Sequence, residues 1–155
     1  MKILKAVKSD LNEILALQYL AFQSEAVILN NFDIPPLKQT LSELQAEFAN
    51  QVFLKAVDNN ETIVGSVRYL SEGDTVYIGK LIVNPDFQGH GIGTSLLLEV
   101  EKLCPNRRYE LFTRSNNLRN LSIYERLGYK IFDEKPAMKD LSFAYLEKLL
   151  DASST

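Results

Sequence analysis

The stretch Leu81-Ile82-Val83-Asn84-Pro85-Asp86-Phe87-Gln88-Gly89-His90-Gly91-Ile92-Gly93-Thr94 sets the fold of this chain. A β-type run stops at Asn84-Pro85, and a turn with glycines at alternate positions follows. Ile92, Leu96, Val100 and Leu103 then recur at helical spacing, which predicts a helix opening directly from the turn, with Pro105 just beyond it. Glycines let a backbone approach a ligand closely. The first N–H groups of a helix have no partner inside it and carry partial positive charge. Together these features suit a phosphate or pyrophosphate. The dinucleotide pattern G-x-G-x-x-G is not met, because Gly89, Gly91 and Gly93 are followed by Thr94. A Walker loop is also excluded, since the chain has no Gly-Lys-Ser/Thr. Taken alone, the turn fits an anion cradle and a tight packing turn equally well.

Upstream, Val52–Val57, Thr62–Leu70 and Thr75–Val83 read as strands joined by turns at Asp58–Asn60 and Ser71–Asp74, an antiparallel meander. Ile3–Val7 is a further short β-type run. Asp10 and Glu13 have the spacing of a capping box at the start of a helix. Leu11, Leu15, Gln18, Phe22, Glu25 and Leu29 share one face of that helix. A buried carboxylate or amide needs a partner, so either this face turns outward after Leu15 or Gln18 and Glu25 look into a polar cavity. Asn30–Leu37 is expected to be a loop held extended by Pro35 and Pro36. Thr40 and Glu43 repeat the capping-box spacing, ahead of a short helix that turns Leu41, Leu44 and Phe48 inward and ends near Asn50.

Downstream, Tyr109–Thr113 reads as a strand and Asn117–Leu127 as a helix with Gly128 at its C′ position. Tyr129–Asp133 and Phe143–Leu149 read as final strands, the last also readable as a helix, and Asp151–Thr155 as a frayed tail. The order β, α, α, β, β, β, α, β, α, β, β predicts an α/β (α+β) fold, a mixed, mostly antiparallel twisted sheet of six to seven strands with helices on both faces. No repeat or linker interrupts it, so residues 1–155 are expected to form one domain.

Composition narrows the function classes. The chain has 155 residues, 46% apolar and 24% charged, with a net charge of -3. That is ordinary globular usage and excludes a disordered chain, a collagen-like repeat and a disulfide scaffold. A mildly acidic balance argues against nucleic-acid binding, which runs on excess Lys and Arg. One cysteine, Cys104, and one histidine, His90, cannot make an internal disulfide or a Cys/His zinc site, so no metal is expected. No apolar run approaches the roughly 18 residues of a membrane span. The opening MKILKAVKSDLNEIL is broken by charge and does not read as a signal peptide. A cytoplasmic location and no membrane partner are expected.

Gln88-Gly89-His90-Gly91-Ile92-Gly93 matches, at each fixed position, the signature of the Gcn5-related N-acetyltransferases (GNAT), and the chain resembles that family. The family pattern is Gln or Arg, two residues, Gly, one residue, then Gly or Ala. Leu81, Val83 and Pro85 resemble the strand that precedes the signature. Asn117-Leu118-Arg119-Asn120-Leu121-Ser122-Ile123-Tyr124-Glu125-Arg126-Leu127-Gly128-Tyr129 resembles the second motif, in which an Asn opens a helix, a Tyr sits seven residues on and Leu-Gly-Phe/Tyr closes it. The N-terminal third matches only in topology; in the family that part shapes the acceptor site.

The resemblance implies an N-acetyltransferase that moves an acetyl group from acetyl-CoA directly to a primary amine of a small molecule or peptide, without metal. It implies that main-chain groups of Leu81, Ile82 and Val83 receive the pantetheine arm and the thioester. It places the pyrophosphate on the backbone of Gln88, Gly89, His90, Gly91, Ile92, Gly93 and Thr94. His90 occupies a variable position there, so the backbone and not the imidazole does the binding. Asn117 and Asn120 would contact the cosubstrate, and Tyr124 would act as general acid toward the departing thiolate. Read without the motif, Tyr124 is a core aromatic on the face it shares with Leu121 and Leu127. Arg114 and Arg119 are either contacts to the 3′-phosphate or solvated surface charge. Many relatives carry a carboxylate base on the strand before the glycine turn, whereas Thr75–Val83 has none and Tyr77 stands about where that Glu would be. Glu25 is the alternative base or acceptor contact, and Tyr77 a water relay. The acceptor is not legible, and no Asp/Glu run marks a polyamine site. A non-catalytic acyl-CoA binding or sensing module of the same fold, a longer acyl donor and a homodimer are the other readings.

Overall fold

The computed structural model describes residues 1–138 and 141–150. Its strands are β1 (Lys2–Lys5), β2 (Val52–Val57), β3 (Ile63–Glu72), β4 (Thr75–Val83), β5 (Arg108–Arg114), β6 (Lys130–Met138) and β7 (Leu141–Leu149). They form one seven-stranded sheet in the order β1-β2-β3-β4-β5-β7-β6. The β4–β5 pair is parallel; the β1–β2, β2–β3, β5–β7 and β6–β7 pairs are antiparallel. The expected mixed, mostly antiparallel sheet is therefore present. The helices are α1 (Leu11–Leu29), α2 (Pro35–Lys38), α3 (Leu41–Asn50), α4 (Ile92–Leu103) and α5 (Leu118–Arg126). The chain divides into two compact units, Met1–Tyr69 with Lys80–Glu99, and Leu70–Gly79 with the chain from Val100 onward.

In the first unit, β2 and β3 register as Ala56↔Gly65 and Val57↔Ile63, a shift that leaves Val64 as the extra residue of a bulge. Ile63 and Gly65 consequently face opposite sides of the sheet. On one side Phe53, Val57, Ile63 and Ile82 pack with Leu11, Ile14, Leu15 and Leu17 of α1 and Leu44 of α3. On the other, Gly65 lies under Ile92 and Leu96 at the start of α4. Helices thus cover both faces.

In the second unit, β5 is paired to β7 along its whole length, from Arg108↔Leu149 to Arg114↔Phe143. The Tyr109 hydroxyl donates to Cys104 O at 2.8 Å and accepts from Asn106 N at 3.0 Å, which staples the connection from α4 into β5. Glu101 receives Lys148 Nζ at 2.8 Å and the Tyr129 hydroxyl at 3.3 Å. Burial first, and then Glu101, push the Tyr129 phenol upward, so it stays a neutral donor.

Several local expectations are corrected. Asp10 and Glu13 do not form a capping box. Asp10 ends a 3-10 turn (Lys8–Asp10), and its carboxylate accepts from Val7 N at 2.8 Å and pairs with Lys55 at 2.9 Å. Glu13 instead accepts from Ile63 N at 2.8 Å, holding α1 to the start of β3. Pro35 and Pro36 do not keep the chain extended; they start α2, where their missing N–H groups cost nothing. Leu103, at helical spacing with Ile92, Leu96 and Val100, is 43% exposed where α4 ends. The Thr40–Glu43 box is present, with Glu43 N donating to Thr40 Oγ1 at 3.1 Å and Thr40 N to Glu43 Oε1 at 3.0 Å. Asn117 is the N-cap of α5, and Gly128 follows its end with φ +98. The expected frayed tail, Asp151–Thr155, lies outside the described residues.

Candidate functional site

The glycine turn belongs to the first unit, and each of its bends has a local cause. Asn84 N donates to Val64 O at 2.8 Å, ending β4 beside β3. Asn84 Oδ1 accepts from Asp86 N at 2.9 Å, and Pro85 opens a 3-10 turn, Pro85–Phe87. Gly89 and Gly91 then adopt φ +85 and +80, the left-handed region that costs an L residue roughly 1–2 kcal/mol. A Cβ built on either would meet nothing within 4 Å, so these positions need glycine for backbone shape and not for room. Ser95 N makes a 3.0 Å helical bond to Gly91 O. The N–H groups of Ile92, Gly93 and Thr94 therefore precede the helical ladder, as an anion cradle requires.

Of the other predicted residues of this unit, Gln88, His90, Leu81 and Val83 lie at or beside the turn. Gln88 is exposed and extended at the end of the 3-10 turn. His90 is exposed, with Nδ1 folded back to 3.0 Å from Phe87 O. Leu81 and Val83 are half-buried and come within 3.6 and 3.9 Å of a Cβ on Gly93, while Ile82 points into the core. Glu25 is half-buried on α1.

Sequence reasoning missed the polar cluster beside this strand. Gln18 is 0% exposed, which settles the open choice over α1 in favour of a polar interior at that position. Its Nε2 donates to Pro36 O and Gln39 Oε1, both at 2.9 Å, and its Oε1 accepts from Arg68 Nη2 at 2.5 Å. Arg68, 2% exposed on β3, lies over the Phe53 ring and reaches 3.0 Å from Glu47 Oε2. That approach is an ion contact without hydrogen-bond alignment. Glu47 Oε1 accepts from Gln39 Nε2 at 3.0 Å and lies 3.6 Å from Lys80 Nζ. The Tyr19 hydroxyl donates to Gln39 O. Burial lowers the Arg68 guanidinium to about 10, against the pull of Glu47. Lys80 itself has φ +42, left-handed in the middle of a strand and next to Leu81. The available signals were Gln18 within an apolar stripe and Lys80 within an apolar strand.

In the second unit, Tyr124 is 3% exposed on α5, with its ring 6.2 Å from that of Tyr129. Asn117 Oδ1 accepts from Asn120 N at 3.1 Å, and Asn120 Nδ2 donates to Thr113 Oγ1 at 3.3 Å. Asn117, Asn120 and Tyr124 are thus brought onto one short helix. Arg114 is buried, with Nη1 on Asn116 Oδ1 at 2.7 Å, whereas Arg119 is exposed. Tyr77, on β4, is 41% exposed and pairs in register with Glu110. Among the described residues no cluster of three or more His, Cys, Asp or Glu side chains could hold a metal ion, and no helix is long and apolar enough to cross a membrane.

Comparison with known proteins gives the family and the fold. The chain is 28% identical over 119 residues to the protein YqkA of Bacillus subtilis, a match covering 76% of this chain and 34% of YqkA. It is 37% identical over 87 residues to an acetyltransferase of Pectobacterium atrosepticum, covering 53% of this chain and 60% of that protein. The match thus spans about a third of the first relative and under two thirds of the second. Among solved structures, the PaiA N-acetyltransferase of Thermoplasma acidophilum in complex with coenzyme A has the same fold, with a TM-score of 0.80 at 19% identity over 96% of this chain and 98% of that one. The model of the acetyltransferase (GNAT) family matches residues 11–129, from the first residue of α1 to the end of the second motif. That span takes in the glycine turn, the α4 N-terminus and the Asn117–Tyr124 helix together, and the chain belongs to the acetyltransferase (GNAT) family.

Proposed function

We propose that the chain is an acetyl-CoA-dependent N-acetyltransferase that transfers an acetyl group directly to a primary amine. The observation that carries this reading is the turn at Gly89 and Gly91, left-handed at both glycines and open above them, which delivers three N–H groups outside the helical ladder of α4. These residues fit a pyrophosphate, and the neighbouring Leu81–Val83 main chain fits the arm of the same cosubstrate. Acetyl-CoA, when bound, supplies an activated acyl thioester.

The remaining chemistry falls to side chains. Tyr124 is assigned as the acid that returns a proton to the departing thiolate, since a phenol with a pKa near 10 is close enough to a thiol at about 8–9 to do so. Asn117 and Asn120 are assigned to hold the cosubstrate. An alkylamine with a pKa near 10.4 is neutral in only about one molecule in 10³ at pH 7, so its proton must be removed. Glu25 is assigned to take it directly, or Tyr77 through water.

Calorimetric titration of acetyl-CoA into the purified protein tests the reading. Micromolar binding that weakens by roughly tenfold or more in Gly91→Ala is expected, because the substituted turn re-aims its N–H groups. Absence of binding by the unsubstituted protein would end the acetyltransferase reading.

A further inference from the structure

We infer that the acceptor amine of this protein carries an anionic group, typically a carboxylate, and that Lys80 is the specificity-determining residue that receives it. The inference rests on the acetyltransferase reading above and names the class of its second substrate.

Lys80 immediately precedes Leu81, so its Cα lies one residue step, about 3.8 Å, from the strand segment assigned to the thioester. It is the charged side chain nearest in sequence to that segment. Its left-handed φ of +42 marks a backbone conformation held in place by its surroundings.

Glu47 is one carboxylate shared by two cations, Arg68 at 3.0 Å and Lys80 at 3.6 Å. The other members of the cluster, Gln18 from α1 and Gln39 from the segment before α3, are neutral amides. Glu43 is the remaining acid that acts on Lys80, but it is exposed to water and committed to Thr40 N and Oγ1, both at 3.0 Å. With the exposed Glu43 left aside, Arg68, Lys80 and Glu47 hold one positive charge in excess. Burial, and next the adjacent Arg68, hold the Lys80 ammonium below the ordinary lysine value, as expected where a cation lacks a full counter-charge.

Arg68 is sealed in, with its side chain 3% exposed, whereas the Lys80 side chain is 29% exposed and ends on a flexible stem. Of the two cations, Lys80 is the one a ligand can reach. A substrate that brings only positive charge, such as a polyamine, would add to the excess. A substrate with a carboxylate beside its amine would cancel it and form a charge-assisted hydrogen bond.

The test is acetyl transfer, read as free thiol release, with matched acceptor pairs: L-phenylalanine against its amide, L-methionine against its amide, β-alanine against propylamine, and phosphoethanolamine against ethanolamine, with spermidine as the all-cationic member. Acetyl-CoA binding is measured beside it by calorimetry. The expected result is a preference for the anionic member of roughly tenfold to a hundredfold in kcat/KM, expressed mainly in KM. Lys80→Met should bring the two members of a pair within about twofold, Lys80→Arg should keep the preference, and Lys80→Glu should reverse it. Folding of each variant is checked by circular dichroism, and Lys80→Gln replaces Lys80→Met if the latter fails to fold. Neutral and anionic members used equally well, a preference that survives Lys80→Met, or no turnover of any pair by a protein that binds acetyl-CoA would each overturn the inference. Failure to bind acetyl-CoA would instead remove the reading on which it rests.

Discussion

A Cβ placed on Gly65 would sit 2.8 Å from Ile92 Cγ2, so the first residue of α4 rests directly on the backbone of β3. The same atom would lie 3.2 Å from Leu96 Cδ1 and 3.3 Å from the main-chain oxygen of Ile82. Neither a branched methyl next to its own backbone nor a carbonyl of the neighbouring strand can move cheaply. Gly65→Ala should therefore destabilise the protein by about 1–3 kcal/mol as an overpacked core position, read by thermal or urea unfolding. It should also weaken acetyl-CoA binding, because the N-terminus of α4 is what this contact aims.

The glycines of the turn should not be equivalent. Gly91 has φ +80, whereas a Cβ on Gly93 would find only ordinary contacts with Leu81 and Val83, at 3.6 and 3.9 Å. Gly91→Ala is expected to cost about 1–2 kcal/mol in stability from left-handed strain, and Gly93→Ala less than half of that. Chemical unfolding of the two single variants checks the order.

Tyr124→Phe removes a hydroxyl while keeping the buried ring against Tyr129. A catalytic acid predicts a fall in kcat of about 10²–10⁴ with acetyl-CoA affinity little changed. A core aromatic alone predicts a change in unfolding midpoint with kcat retained. Stopped-assay thiol release beside thermal unfolding separates the two.

Gln18→Met keeps the side-chain volume but withdraws the acceptor that faces the Arg68 guanidinium at 2.5 Å. A buried charged donor without its acceptor should cost about 1.5–3 kcal/mol, measured by urea unfolding. The loss should be larger than for a neutral hydrogen bond of the surface.

Acid should weaken the N-terminal turn through Asp10. Burial alone would raise its carboxyl, but the bonds from Lys55 and from Val7 N–H outweigh that and hold it below the ordinary carboxylate value. A folded-state pKa below the unfolded one near 3.9 contributes stability that is present above that value and lost as pH falls through the folded pKa. Asp10→Asn should cost on the order of 1 kcal/mol at pH 7 and shrink the loss of stability on acidification below about pH 4. Urea midpoints between pH 3 and 7 check it.

Local signals in the sequence were read correctly where both partners lie within a turn of one another, as at Thr40 and Glu43. The same spacing misled at Asp10 and Glu13, because each carboxylate is claimed from far along the chain, by Lys55 and by the N–H of Ile63. The strand meander and the glycine turn were legible from alternation and punctuation. Which way Gln18 faces was not, since its burial depends on Arg68, fifty residues away. Gln18 and Lys80 stood out singly, but the Glu47–Arg68–Lys80 cluster could not be assembled from them: Arg68 lies in the buried run Ile63–Tyr69 of β3, and nothing near it in sequence announces a counter-charge.

The shared carboxylate of Glu47 has a consequence for how this protein can be re-engineered. Gln18, Gln39, Glu47, Arg68 and Lys80 each complete another's bonding, so their substitutions will be strongly non-additive. A library that varies one position at a time would therefore misjudge what Glu47 and Arg68 tolerate. Paired libraries that exchange Glu47 together with Arg68, or Lys80 together with Glu47, would open routes that no single step reaches.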